Sequence, residues 1–208
     1  MSHLTIARDT QQEIVIEKSR FICTLKKVTT EVEAQDFVKD MKKRYWDATH
    51  NCSAYLVSSL VQRSSDDGEP GGTAGLPMLE VLRKNKLTGV AAVVTRYFGG
   101  VKLGAGGLVR AYTNAVTAAL QAAGRVRRIE LGHYVLSVPA VDAGKVLNLL
   151  YADGGCRLGG VAYGADSVQI EFLLQQEEVP AATEALRDLL QLPVELVFTV
   201  SEPAEVEI

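Results

Sequence analysis

The chain has 208 residues, 47% of them hydrophobic and 23% charged, with a formal net charge of −3. That is ordinary globular composition, and the length suits two domains of about 100 residues, each able to bury a core without staples. No segment approaches the ~18 apolar residues of a membrane span.

The cysteines, Cys23, Cys52 and Cys156, are odd in number and form no CxxC pair. Cys23 and Cys52 lie in apolar, strand-like segments, so reduced core thiols are expected. The first twelve residues hold no apolar run of signal-peptide length, and a cytoplasmic location is expected. Charge is uneven: residues 1–128 carry 19 Lys and Arg against 12 Asp and Glu, whereas residues 129–208 carry 3 against 13. A basic half permits a polyanionic partner, although scattered Lys and Arg also solvate ordinary surface helices.

In chain order, alternation predicts strands over 12–18 and 20–28, with Ile14, Ile16, Phe21, Cys23 and Leu25 on inward positions. Ala34, Phe37, Val38, Met41 and Tyr45 form one stripe of a helix over 31–45. Residues 52–59 read as a strand, followed by a turn-rich loop at 64–77. A helix is expected over 78–86. Val90–Val94 is a β-branched apolar run suited to a strand buried on both faces. Leu108, Tyr112, Ala115, Val116, Ala119 and Ala123 stripe a helix over 105–123, which Gly124 ends.

The domain boundary is placed at 124–128, giving domains 1–128 and 129–208. The second reads as strand 133–138, helix 142–151, strands 157–163 and 167–174, a helix entered at Pro180, and strand 194–200. That order, βαββαβ, is the ferredoxin-like split unit. Residues 202–208 read as a frayed acidic tail. The fold class is therefore α+β.

Two loops of the first domain carry the candidate chemistry. Residues 65–77 hold Asp66, Asp67 and Glu69 ahead of Gly71-Gly72-Thr73-Ala74-Gly75. Three carboxylates in four residues repel unless they hold a cation or donors, and oxygen-rich clusters suit Mg²⁺ or Ca²⁺. The same string is good turn chemistry, and whether it binds metal stays open. Residues 98–110 place Gly99, Gly100, Gly104, Gly106 and Gly107 between a buried strand and a helix, where backbone N–H groups converge on anions. Arg96, Lys102 and Arg110 bring cations to that region, with Tyr97 beside them. The pattern is neither a Walker A loop nor a dinucleotide fingerprint. His50 and Cys52, at i and i+2, share a strand face. No second Cys/His pair completes a zinc site, and no catalytic residue is assigned.

His50-Asn-Cys52-Ser-Ala54, the string from Ser65 to Pro77, and the string from Arg96 to Tyr112 resemble the IMPACT/YigZ family. The resemblance implies a first domain with the fold of ribosomal protein S5's second domain. It also implies a second domain similar to domain V of elongation factor G. Eukaryotic members are regulators of translation, but their partner is engaged through an added N-terminal domain and is not carried over to these residues.

The expectation is a binding or regulatory protein with no cofactor, acting near translation. Its partner would be RNA or a ribosome-associated factor, met through the first domain. The ligand-facing set is His50, Asp66, Asp67, Glu69, Thr73, Arg96, Tyr97, Gly99, Gly100, Lys102, Gly104, Gly106, Gly107 and Arg110. The alternatives are an Mg²⁺-dependent enzyme acting on a phosphorylated small molecule, with Asp66, Asp67 and Glu69 as ligands, and a protein–protein module.

Overall fold

The structure, a computed structural model, describes residues 2–152 and 157–207. Cys156 lies outside them. The fold is mixed α+β, and the chain divides into two compact units, His3–Arg127 and Arg128–Val206.

The first unit begins with a short strand the sequence pattern does not reveal, β1 (His3–Ile6). The Leu4 carbonyl accepts from Thr88 N (2.9 Å), and the strand's end is tied by Ala7 N to the Gly124 carbonyl (3.1 Å). Next come β2 (Thr10–Ile16) and β3 (Ser19–Lys27), joined through Glu17 and Lys18, both left-handed at φ 47° and 65°. Two such residues suit a hairpin turn that matches strand twist. Helix α1 (Glu31–Arg44) is capped by the Thr30 hydroxyl, which accepts from Glu33 N, and ends in Lys42, Lys43 and Arg44. β4 (His50–Leu56) starts two residues earlier than the alternation suggests. β5 (Gln62–Ser65) is a polar edge strand at the start of what reads as loop. α2 (Gly75–Lys84), β6 (Val90–Tyr97) and α3 (Gly104–Ala123) complete the unit.

Strands β2 to β6 form one antiparallel sheet in the order β2-β3-β6-β4-β5, and β1 lies outside it. β6 lies at its centre and is buried on both faces, as its apolar run predicts. Val90, Ala92 and Val94 enter the core shared with α2 and α3, while Ala91 and Val93 meet Phe37 and Met41 of α1. The end of the sheet where β6 finishes and β4 begins carries both candidate loops.

The second unit uses β7 (Arg125–Pro139), α4 (Ala140–Ala152), β8 (Arg157–Tyr163), β9 (Ser167–Leu174), α5 (Val179–Leu190) and β10 (Val197–Glu207). β7 pairs with β9 and β10, and β9 pairs with β8. Its core joins Leu136, Val138, Ile170 and Phe172 of the sheet to Val146 and Leu186 of the helices. At the expected boundary, residues 124–128, Gly124 caps α3 at φ 68° and β7 starts at the next residue, with Val126 and Ile129 buried. One expectation is corrected here: the chain does not fray after 201, because β10 continues to Glu207 as a solvent-exposed strand paired to β7. Backbone pairing holds it, so it needs no apolar alternation to announce itself.

Candidate functional site

The acidic string folds back onto the sheet end, and each carboxylate finds different donors. Asp66 accepts backbone N–H bonds from Gly72 (2.9 Å), Ala74 (3.0 Å) and Gly75 (2.8 Å). It thereby caps α2, placing negative charge at the helix N-terminus, where it is stabilising. Burial opposes ionisation of Asp66, but the three donors outweigh it and hold the carboxyl below its usual value. Gly75 is required by close approach: a Cβ there would lie 2.7 Å from the Ser65 backbone. Asp67, itself left-handed at φ 46°, pairs with Lys42 of α1 and accepts from Asn51 N (2.7 Å). Burial again opposes ionisation, and Lys42 and Asn51 again prevail, lowering its pKa. Thr73 closes its turn by donating to the Pro70 carbonyl (2.7 Å).

Glu69 is buried at 7% exposure, and one of its oxygens accepts both from Arg96 Nη1 (2.7 Å) and from the Tyr112 hydroxyl (2.7 Å). Its other oxygen lies 3.9 Å from His50 Nε2. The second ring nitrogen of His50 is 2.8 Å from the Asp67 carbonyl, which can only accept, so the hydrogen-bond network puts the proton on Nδ1. The Cys52 thiol donates to the Asp66 carbonyl (2.9 Å) and lies 3.3 Å from the Tyr112 hydroxyl. Burial pushes this thiol up to about 12, which leaves no thiolate near neutrality to act as a nucleophile. Burial, together with Cys52 and Glu69, also raises the Tyr112 phenol.

This arrangement corrects two sequence readings. Asp66, Asp67 and Glu69 do not converge: among the described residues no group of three His, Cys, Asp or Glu side chains is placed to hold a metal ion. Nor does Arg96 join Lys102 and Arg110 on a common surface. Arg96 is 5% exposed, paired with Glu69, and sandwiched between the rings of Phe21 (5.4 Å) and Phe98 (5.5 Å).

The glycine-rich loop faces outward, and its glycines serve different ends. Gly99 packs: a Cβ would lie 2.0 Å from the Lys18 carbonyl carbon, and its N–H donates to Ser19 Oγ (3.1 Å). Gly100 and Gly104 adopt left-handed φ of 87° and 69°. A Cβ at Gly107 would lie 2.9 Å from the Leu103 side chain. Gly106 has neither a left-handed φ nor a crowded Cβ position. Its nearest neighbour is Arg110 Nη1, 3.8 Å from where a Cβ would stand. The guanidinium thus reaches back over the first turn of α3. That turn has no acidic residue and no side-chain cap. Lys102 and Arg110 are exposed, and Tyr97 is half-buried with its hydroxyl on Asp47 (2.9 Å).

Sequence reasoning missed Lys42, Asn51 and Tyr112 as partners of the acidic string. Tyr112 reads as one more member of the α3 stripe. Its signal is a hydroxyl-tipped ring among alanines, which needs an acceptor when buried.

Residues 17–120 match the Impact N-terminal domain. The chain is also 46% identical over 190 residues to "IMPACT family member YvyE" of Bacillus subtilis, covering 90% of this chain and 87% of that one. The chain belongs to the IMPACT family. Family member YigZ of Escherichia coli is 41% identical over 58% of this chain and 61% of its own length. A solved structure described as a hypothetical protein superposes with a TM-score of 0.60 at 32% identity, covering 96% of this chain and 98% of that one. The His50, Glu69, Arg96 and Tyr112 network lies wholly within the part matched by the family domain.

Proposed function

We propose that this IMPACT-family protein is a binding or regulatory protein whose first unit contacts RNA through the outward face of the 98–110 loop. One observation carries the reading: the Arg110 guanidinium lies over the uncapped, acid-free first turn of α3. A cation at the positive end of a helix is unfavourable by some tenths of a kcal/mol unless an anion joins it. At the neighbouring helix α2, Asp66 supplies that anion from within the chain. At α3, a phosphate with Lys102 and Arg110 is the complementary ligand. The Mg²⁺-enzyme alternative loses its ligand set, since the three carboxylates are each bound to other donors.

The reading extends to translation. The pairings of β7 with β9 and β10, and of β9 with β8, support a ferredoxin-like second domain similar to domain V of elongation factor G. The first unit reads as the fold of ribosomal protein S5's second domain, a pairing of folds found in a translation factor; fold likeness alone carries this step.

Filter binding of total RNA across a salt series is the test. Retention should fall steeply with salt, and Lys102→Ala and Arg110→Ala should each flatten the slope by about one unit. Retention that is absent, or indifferent to salt, would sink the RNA reading.

A further inference from the structure

Trp46 is the chain's single tryptophan and stands 82% exposed in the turn after α1. No packing accounts for so large a ring in water. Its turn is bound to the end of β6 by three hydrogen bonds. Thr49 N donates to the Arg96 carbonyl (2.9 Å), Phe98 N to Thr49 Oγ1 (3.0 Å), and the Tyr97 hydroxyl to Asp47 (2.9 Å). Trp46 and the 47%-exposed Phe98 therefore stand on two loops fastened together at one end of the sheet. Phe98 is also braced from within. Arg96 lies 5.5 Å from its centroid and is held by Glu69, so the ring is supported by a fixed cation.

Cations flank the pair along the chain. Lys43 and Arg44 end α1 directly before the Trp46 turn, and Lys102 follows Phe98 by four residues. Of the acids on neighbouring segments, Asp47 and Glu13 are bonded to Tyr97 and Arg20, while Glu17 is exposed in the β2–β3 turn. Exposed aromatic faces amid cations are the equipment that binds unpaired bases: rings stack on bases of any identity while cations track the backbone. A duplex keeps its bases stacked and offers those rings nothing.

We infer that the first unit recognises single-stranded rather than duplex nucleic acid, by stacking unpaired bases on Trp46 and Phe98. This rests on the RNA-binding reading above and adds a ligand class and two residues to it.

Trp46 supplies its own readout. The full-length protein is titrated with an oligouridylate of about 16 nucleotides, a duplex of equal length, and inorganic polyphosphate. Tryptophan fluorescence is followed alongside an independent binding isotherm. The expected result is tight binding with strong quenching by the single strand, and weaker binding with little quenching by the duplex and polyphosphate. Trp46→Ala should weaken the single strand by about 5- to 150-fold, the range of one base–aromatic stack, and leave polyphosphate affinity unchanged. Trp46→Phe should retain most of the affinity. Trp46 is so exposed that its loss does not threaten folding, and polyphosphate binding by the variant verifies this.

Equal affinity for single strand and duplex, or unchanged single-strand affinity in Trp46→Ala, overturns the stacking proposal while leaving the anion surface intact. Binding of none of the three polyanions overturns the RNA-binding reading itself. Concentration-dependent self-association that Trp46→Ala abolishes, in the absence of single-strand quenching, overturns the proposal in favour of a surface between copies of the chain.

Discussion

Replacing Glu69 with Ala should unfold the site from its centre. Glu69 is the partner of a guanidinium that is 5% exposed, and Arg96 Nε already has no hydrogen-bond acceptor. What remains to Arg96 after the substitution is the Ser19 hydroxyl at 3.5 Å and two ring faces. A buried charge stripped of its counter-ion costs about 3–5 kcal/mol. The loss of Tyr112's acceptor is felt within the same network and is not simply added. For a unit of this size, about 4 °C per kcal/mol places the melting shift at roughly 12–20 °C. Because the chain holds two units, one global melt mixes their transitions. Hydrogen exchange of the β6 peptide isolates the first. Pairing Glu69→Leu with Arg96→Met removes both charges and should recover most of the loss, since apolar replacements of buried ion pairs are often neutral or stabilising. A cost under about 1 kcal/mol for Glu69→Ala, or a double variant no better than the single, would refute the claim that this ion pair holds the loop.

Two further outcomes are expected. Asp66 and Asp67 both have folded pKa values below their unfolded ones, so the stability they contribute is present above the unfolded carboxyl value near 3.9 and is lost as pH falls through the folded values. Protection factors of the amides of residues 66–75, taken relative to intrinsic exchange at each pH, should therefore fall on acidification below about pH 4, and Asp66→Asn should blunt the response; protection that is flat down to pH 2 would contradict it. Among the glycines, Gly99→Ala should destabilise by about 1–3 kcal/mol through collision with the Lys18 backbone. Gly106→Ala should instead stabilise α3 by up to about 1 kcal/mol while weakening RNA retention, and destabilisation by Gly106→Ala would remove the argument that this glycine is kept open for a ligand.

Period and polarity made some elements readable and left others silent. The stripe of α1 and the apolar run of β6 announced themselves because burial on a fixed face dictates those positions. β5 reads Gln-Arg-Ser-Ser and β10 carries Glu202, Pro203 and Glu205, because both are held by backbone pairing rather than by a buried face. The first half of β7 hid behind three arginines that stand around Val126 and break the strict alternation with Ile129. Within the site, residue types and their neighbourhood were legible but directions were not. A carboxylate in a turn says that it needs donors. It does not say that they come from Lys42, Asn51 or Tyr112, between 16 and 43 residues away. Arg96 and Lys102 look alike in sequence, yet one ends a central strand and faces inward while the other sits on an open loop.

That division of directions also ties stability to binding through one side chain. Arg96 takes its charge balance from Glu69 and presents its flat face to Phe98. Removing Glu69 should therefore release Phe98 even under conditions where the first unit stays folded, whereas removing Trp46 leaves the buried network untouched. Variants of the inward set should lose protection and single-strand affinity together. Variants of the outward set, Trp46 and Lys102, should lose affinity alone. If Glu69→Ala at a temperature well below its melt bound the single strand as tightly as the wild type, the buried ion pair would be a scaffold for the loop backbone only. Phe98 would then owe its position to the Thr49 and Gly99 hydrogen bonds instead.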